Sequence, residues 1–209
     1  AELIAGIEEG FGAVRGHIVT SLNTEGNMLF SHKKYGDIDG CVFGFTEPDA
    51  RLWEEITRRG IPSVLLNRID SERNYITCNN SLGMETLLER VLRCRGEARP
   101  AYVSFLPATP VNEYREEGFR AACRAHEIVC DESAVWRISR LEEIDAELVR
   151  AIVEAGHDTV MCFNDFVAVT FLNAALAAGF SVPGDFALTG FDNSPVRQLT
   201  LRKIDSINL

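Results

Sequence analysis

The sequence predicts an α/β fold built as two doubly wound parallel-sheet lobes. Three observations carry this reading. Short apolar runs alternate with helix-period segments of roughly 10–15 residues along a 209-residue chain. Several runs, "PSVLLN", "AYVSFL" and "TVMCF" among them, are apolar at nearly every position, as strands covered on both faces are. The rhythm breaks at the polar "RIDSERN", Arg68 to Asn74, after which a second strand follows with no helix between. The expected division is therefore a lobe over 1–78, a second over 79–206, and a return segment beginning at 207–209.

Each element has its own justification. Ile4, Ile7, Phe11 and Val14 step at helical spacing, and "HIVTSL" follows as a strand. The odd stretch "NTEGNMLFSHKKYGDID" stands where a helix is expected. "GCVFGF" reads as a strand, "PDARLWEEITRRG" as a helix stopped by glycine, and "PSVLLN" and "YITCN" as strands. Met84, Leu87, Leu88, Val91 and Leu92 mark one face of the next helix. "AYVSFL", a helix around "NEYREEGFRAACRA", the strand "AVWRI" and a helix from Leu141 to Ala155 continue the alternation. "TVMCF", a helix from Asn164 to Ala178 and the strand "FALTGF" complete it.

Composition narrows the function classes. A formal net charge of -10 makes direct binding of nucleic acid by this chain unfavourable. No apolar run approaches the roughly 18 residues of a membrane span, and no secretory signal opens the sequence. The six cysteines show neither a C-x-x-C pair nor metal-ligand spacing, which favours reduced cytoplasmic thiols. There is no G-x-G-x-x-G, Walker loop or G-x-S-x-G elbow, and the four histidines are scattered. Nothing positive indicates catalysis, a metal or a cofactor.

The candidate functional residues fall at strand ends. Asn67 and Arg68 close "PSVLLNR", Asn164 and Asp165 close "TVMCFND", and Asp192 closes "FALTGFD". Arg115 lies in the helix after "AYVSFL". In a doubly wound sheet these positions share the carboxyl edge, where such folds bind ligands. Carboxylate, amide and guanidinium together suit a polyhydroxylated molecule, since acids accept from hydroxyls and arginine donates as a fork. Trp136 could supply a flat apolar wall. Each residue also has a plain structural role open to it: Asn164 as a helix cap, Asp192 in an Asx-type turn, Trp136 in the core.

"VMCFNDFVAV" followed by "AALAAGFSVPGDFALTGFDNSP" resembles the effector-binding core of the LacI/GalR family of transcription repressors. "DIDGCVFGF", "GIPSVLLNR", "NNSLGMETLLERVLRCRG" and "YREEGFRAA" resemble that family in order and spacing, and the likeness is weakest from Asn23 to Asp37. The resemblance implies lobes of periplasmic-binding-protein type I joined by three crossovers, with a small effector between them. It implies that Asn67, Arg68, Arg115, Trp136, Asn164 and Asp192 contact that effector. Measured against the family pattern, the first lobe is incomplete, lacking its first and last strands. The helix-turn-helix headpiece would lie outside these residues, so operator DNA would be bound only through it. Asn79 stands where the family often has aspartate.

The implied function is the regulatory core of a DNA-binding repressor, cytoplasmic and homodimeric, responding to a carbohydrate or nucleoside-like effector without a cofactor. The alternative is a secreted sugar-binding protein of an ABC transporter with the same fold. An enzyme on a flavodoxin-like sheet is a third possibility, because fold does not dictate function.

Overall fold

A computed structural model describes residues 2–12, 38–44 and 48–208 of the chain. It divides into two units, Ala1–Thr77 and Cys78–Leu209. The expected strand at 17–22, and most of the odd segment at 23–39, lie outside the described residues.

The first unit carries α1 (Glu2–Phe11), β1 (Cys41–Phe43), α2 (Ala50–Arg59), β2 (Ser63–Leu66) and β3 (Tyr75–Ile76). The strands form a parallel sheet in the order β1-β2-β3, with Val42 opposite Val64 and Leu65 opposite Tyr75. Local chemistry sets the ends of α2. Asp49 accepts from the Leu52 amide at 2.8 Å, and Gly60 closes the helix at φ +66°, a conformation that costs glycine little. Leu52 and Ile56 are its buried residues.

The second unit holds α3 (Asn80–Arg95), β4 (Pro100–Phe105), α4 (Pro110–Ala125), β5 (Val135–Ile138), α5 (Ala146–Glu154), β6 (Thr159–Cys162), α6 (Asp165–Ala177) and β7 (Ala187–Thr189). Its sheet is parallel in the order β5-β4-β6-β7. The chain moves outward from β4 to β5, then crosses back to the far side of β4, so the strand order reverses there. Two apolar layers cover the faces. One gathers Val149, Ile152, Phe171 and Leu172 from α5 and α6 with Val103 and Val160. The other gathers Met84, Leu88 and Phe119 from α3 and α4 with Tyr102, Met161 and Phe191. Burial on both faces is why these strands read as unbroken apolar runs.

One element differs from expectation. The helix foreseen over Leu141–Ala155 is a 3-10 turn at Leu141–Glu143 followed by α5. Asp145 interrupts it, because its carboxylate accepts from the Glu147 and Leu148 amides and caps the new helix. Residues 204–208 run beside β7, with Asp205 bridged to Thr189 and Asn208 to Asp192. The segment therefore braces the last strand of the second unit before the chain ends.

Candidate functional site

The carboxyl edge of the second sheet is organised around Arg115. Pro110 opens α4, and the Thr109 side chain caps it by accepting from the Asn112 amide at 3.3 Å. That start angles Arg115, one turn in, back over the ends of β6 and β7. Its Nε donates to Asn80 Oδ1 at 2.9 Å, one Nη to the Phe163 carbonyl at 2.7 Å, and the other to Asp192 Oδ1 at 2.7 Å. The guanidinium carbon lies 3.9 Å from the Phe191 ring centroid and 5.0 Å from that of Phe163. Only 1% of Arg115 is exposed. A buried cation needs compensation of this kind, and rings stacked on its planar faces leave its edge donors available for hydrogen bonds.

Asp192 is the exposed end of this arrangement. Its side chain is 25% accessible, Arg115 holds one oxygen, and the second, Oδ2, meets no hydrogen-bond donor among the described residues. The backbone at Asp192 and Asn193 is left-handed, at φ +92° and +48°. Aspartate and asparagine tolerate this region better than most residues, yet it must still be held in place.

Asn164 stands beside them at the end of β6, where its Oδ1 caps α6 by accepting from the Val167 amide at 3.0 Å. The next residue, Asp165, is fully buried. It donates its amide to the Phe191 carbonyl at 2.9 Å and accepts from the Ser194 amide at 2.6 Å. Burial pushes its carboxyl above the usual aspartate range.

Trp136 is not brought to this edge. It lies opposite Val103, two residues before β5 ends, and packs partly buried against the α5 and α6 layer, with its Nε1 buried and unpartnered. The structure thus groups it with the core rather than with Arg115, Asn164 and Asp192. Asn67 and Arg68 belong to the first unit. Asn67 directly follows β2 at φ +51°, exposed, its backbone amide donating to the Ile76 carbonyl at 2.8 Å. Arg68 is half-buried and already engaged within the structure.

Sequence reasoning passed over Asn80, the 3% exposed partner of the Arg115 Nε. The doubled asparagine of "CNNS" was its only trace, one residue capping α3 and the other turned inward. Asn79 is the cap, accepting from the Leu82 amide at 3.1 Å. Asn112 was passed over as well. It is buried between Tyr102, which donates to its Oδ1 at 3.0 Å, and the Phe105 carbonyl, to which it donates at 2.7 Å. Among the described residues no three His, Cys, Asp or Glu side chains gather as a metal site requires, and no helix is long and apolar enough to cross a membrane.

Residues 90–209 match a family described as periplasmic binding protein-like domain. A probable HTH-type transcriptional repressor, ExuR of Bacillus subtilis, is 26% identical over 193 residues, covering 90% of this chain and 54% of its own length. The chain thus spans about half the length of that relative. A LacI family transcriptional regulator from Mycobacterium smegmatis superposes over 100% of this chain and 79% of its own, at a TM-score of 0.78 and 17% identity. A complex of the transcriptional regulator CelR with cellobiose superposes at 0.69 with 23% identity, over 82% of this chain and 54% of its own. These two likenesses are in fold.

Proposed function

The chain belongs to the periplasmic binding protein-like domain family, in its LacI/GalR branch, and on that premise we propose that it binds a neutral, polyhydroxylated effector at the carboxyl edge of its second sheet. A sugar is the best fit. The observation that carries this reading is the state of the Arg115–Asp192 pair. Asp192 meets the charge of Arg115, which is buried, so the exposed group at the edge is a carboxylate oxygen ready to accept. Hydroxyl donors suit such a group, whereas a phosphate or carboxylate on the ligand would face another anion. The cellobiose bound by CelR supports a carbohydrate. Asn164 contributes an amide beside Asp192. Asn67, Arg68 and Trp136 stay separate candidates for effector contact, each to be tested by its own alanine variant.

The effector shifts a conformational equilibrium only as far as its affinities for the two states differ, typically by about 1–3 kcal/mol of coupling. That coupling is read out on operator DNA by a headpiece outside these residues, in a cytoplasmic homodimer whose twofold symmetry matches a palindromic site. The chain itself performs no catalysis.

A calorimetric and thermal-shift screen tests this. Neutral mono- and disaccharides should raise the melting temperature of the wild type and not of Asp192→Asn. Preferential binding of uronates or sugar phosphates overturns the charge argument. Equal binding by wild type and Asp192→Asn overturns the site.

A further inference from the structure

Asp165 follows a residue already assigned to the site, yet it is fully buried and faces away from the edge. Residues on both sides of Asp192 are nonetheless tied to it. The Asp165 amide donates to the Phe191 carbonyl at 2.9 Å, and the Ser194 amide donates to Asp165 Oδ2 at 2.6 Å. The Asn193 amide donates to Ser206 Oγ at 3.0 Å, in the segment that is bridged to β7 and Asp192. Gly190 lies so close that a Cβ there would stand 2.2 Å from Asp165 Oδ1. Phe191 is thus fastened to the Asp165 backbone and Ser194 to its carboxylate, with Gly190 packed against that carboxylate. Asp192 alone turns outward, to Arg115.

We infer that Asp165 is a positioning residue that fixes the left-handed turn at Asp192 and Asn193, and through it the aim of the Asp192 carboxylate at Arg115. The backbone there needs such a clamp. Two successive non-glycine residues at positive φ are unfavourable, and they persist only where their surroundings determine them. The carboxylate does this from inside, accepting from the Ser194 amide, which the turn leaves without a partner in secondary structure. The requirement for glycine at 190 follows from the same clamp, since any side chain would drive the carboxylate out of place. The consequence for effector binding rests on the reading that Asp192 contacts the effector. The clamp itself does not.

The test uses the full chain labelled with nitrogen-15, reading the Ser194 amide and the exchange rate of the Arg115 Nε proton. Asp165→Ala should move the Ser194 resonance and speed Arg115 exchange about tenfold or more, as loss of a local tether does. Asp165→Asn, which keeps an acceptor oxygen, should restore most of the protection. Val149→Ala removes core contacts in the same unit, so it should lower stability yet leave both signals in place. If Asp165→Ala fails to fold, Gly190→Ala displaces the carboxylate without deleting it and should speed Arg115 exchange likewise. Unchanged Arg115 exchange in a folded Asp165→Ala, or in Gly190→Ala, overturns the inference. Equal acceleration by Val149→Ala does so too, because the effect is then general loosening. Should Asp192→Asn still bind sugar while Asp165→Ala shows the exchange signature, the clamp stands and the effector reading falls.

Discussion

The two units each end a parallel strand on a left-handed residue, and they hold those turns by different means. After β2, Asn67 adopts φ +51° and the following turn is closed from within. The Asp70 carboxylate accepts from the Glu72 amide at 2.8 Å and the Arg73 amide at 3.0 Å, and it pairs with the Arg73 guanidinium at 2.7 Å. After β7, Asp192 and Asn193 are held from far along the chain. Arg115 lies 77 residues before Asp192, and Asp165 lies 29 residues before Ser194. The first turn is local polar chemistry, whereas the second is held by Arg115 of α4 and Asp165 at the start of α6. Preorganising a binding group needs the second kind, because a turn that carries its own stabilisation has no fixed aim relative to its neighbours.

The sharpest way to break the comparison is to remove the remote support. Arg115→Ala should destabilise the second unit by about 3 kcal/mol or more, because Asn80, Asp192 and the Phe163 carbonyl lose their donor and a cavity opens between two phenyl rings. Urea unfolding followed by Trp136 fluorescence in a Trp53→Phe background reads that unit, since Trp53 lies in the other. A loss under about 1 kcal/mol would mean that the network contributes no more than a surface pair. Asn80→Ala comes next, at about 1.5–3 kcal/mol, since it leaves one donor of a buried cation unpaired. A neutral result would show that another acceptor replaces it.

The same contrast explains what the sequence disclosed. Strands β4, β6 and β7 and helices α3, α4 and α6 were legible because their signals are periodic and local. So were the candidacies of Arg115, Asn164 and Asp192, which follow from counting residues to strand ends. The grouping of Asn80 and Asp165 with Arg115 and Asp192 was not legible. An asparagine turned inward and an aspartate after a cap look like any others until the fold fixes their distances. The place of Trp136 was not legible either, since an aromatic on a strand signals apolar packing without saying which end of the layer it joins. In sequence, Leu141–Ala155 looks like one helix because apolar spacing continues through Asp145, whose capping carboxylate overrides it.

Asp165 sharpens the comparison through pH. Burial holds its carboxyl above the ordinary value of 3.8, so the folded state keeps its proton over a range where the unfolded chain has released it. Stability contributed by this group is therefore full below the unfolded value, and it is lost as pH rises through the raised folded one. Asp165→Asn cannot titrate. The stability of wild type relative to Asp165→Asn should fall as pH rises from about 4 and level off above the folded value. Carboxylates held low by exposed ion pairs, such as Glu132 beside Arg137, shift stability oppositely but equally in both proteins and cancel. A relative stability that rises over this range would show that the buried carboxyl is favoured in its charged form.

The smallest effect belongs to the self-contained turn. Asn67→Ala places an ordinary side chain at φ +51°, which should cost about 1–2 kcal/mol, and Asn67→Gly should cost close to nothing. Either change should be confined to the first unit's transition, followed by Trp53 in a Trp136→Phe background. The reason is that the Asn67 amide bond to the Ile76 carbonyl and the Asp70 contacts are backbone-anchored and local, and survive both substitutions. The informative measurement is the same pair of variants in the sugar-binding assay. If Asn67→Gly keeps stability but loses affinity, the asparagine amide touches the effector, and the weakly held turn contributes a contact by chemistry alone. If it keeps both, Asn67 occupies its position because the backbone there is left-handed, and recognition rests with the strand end that distant residues aim.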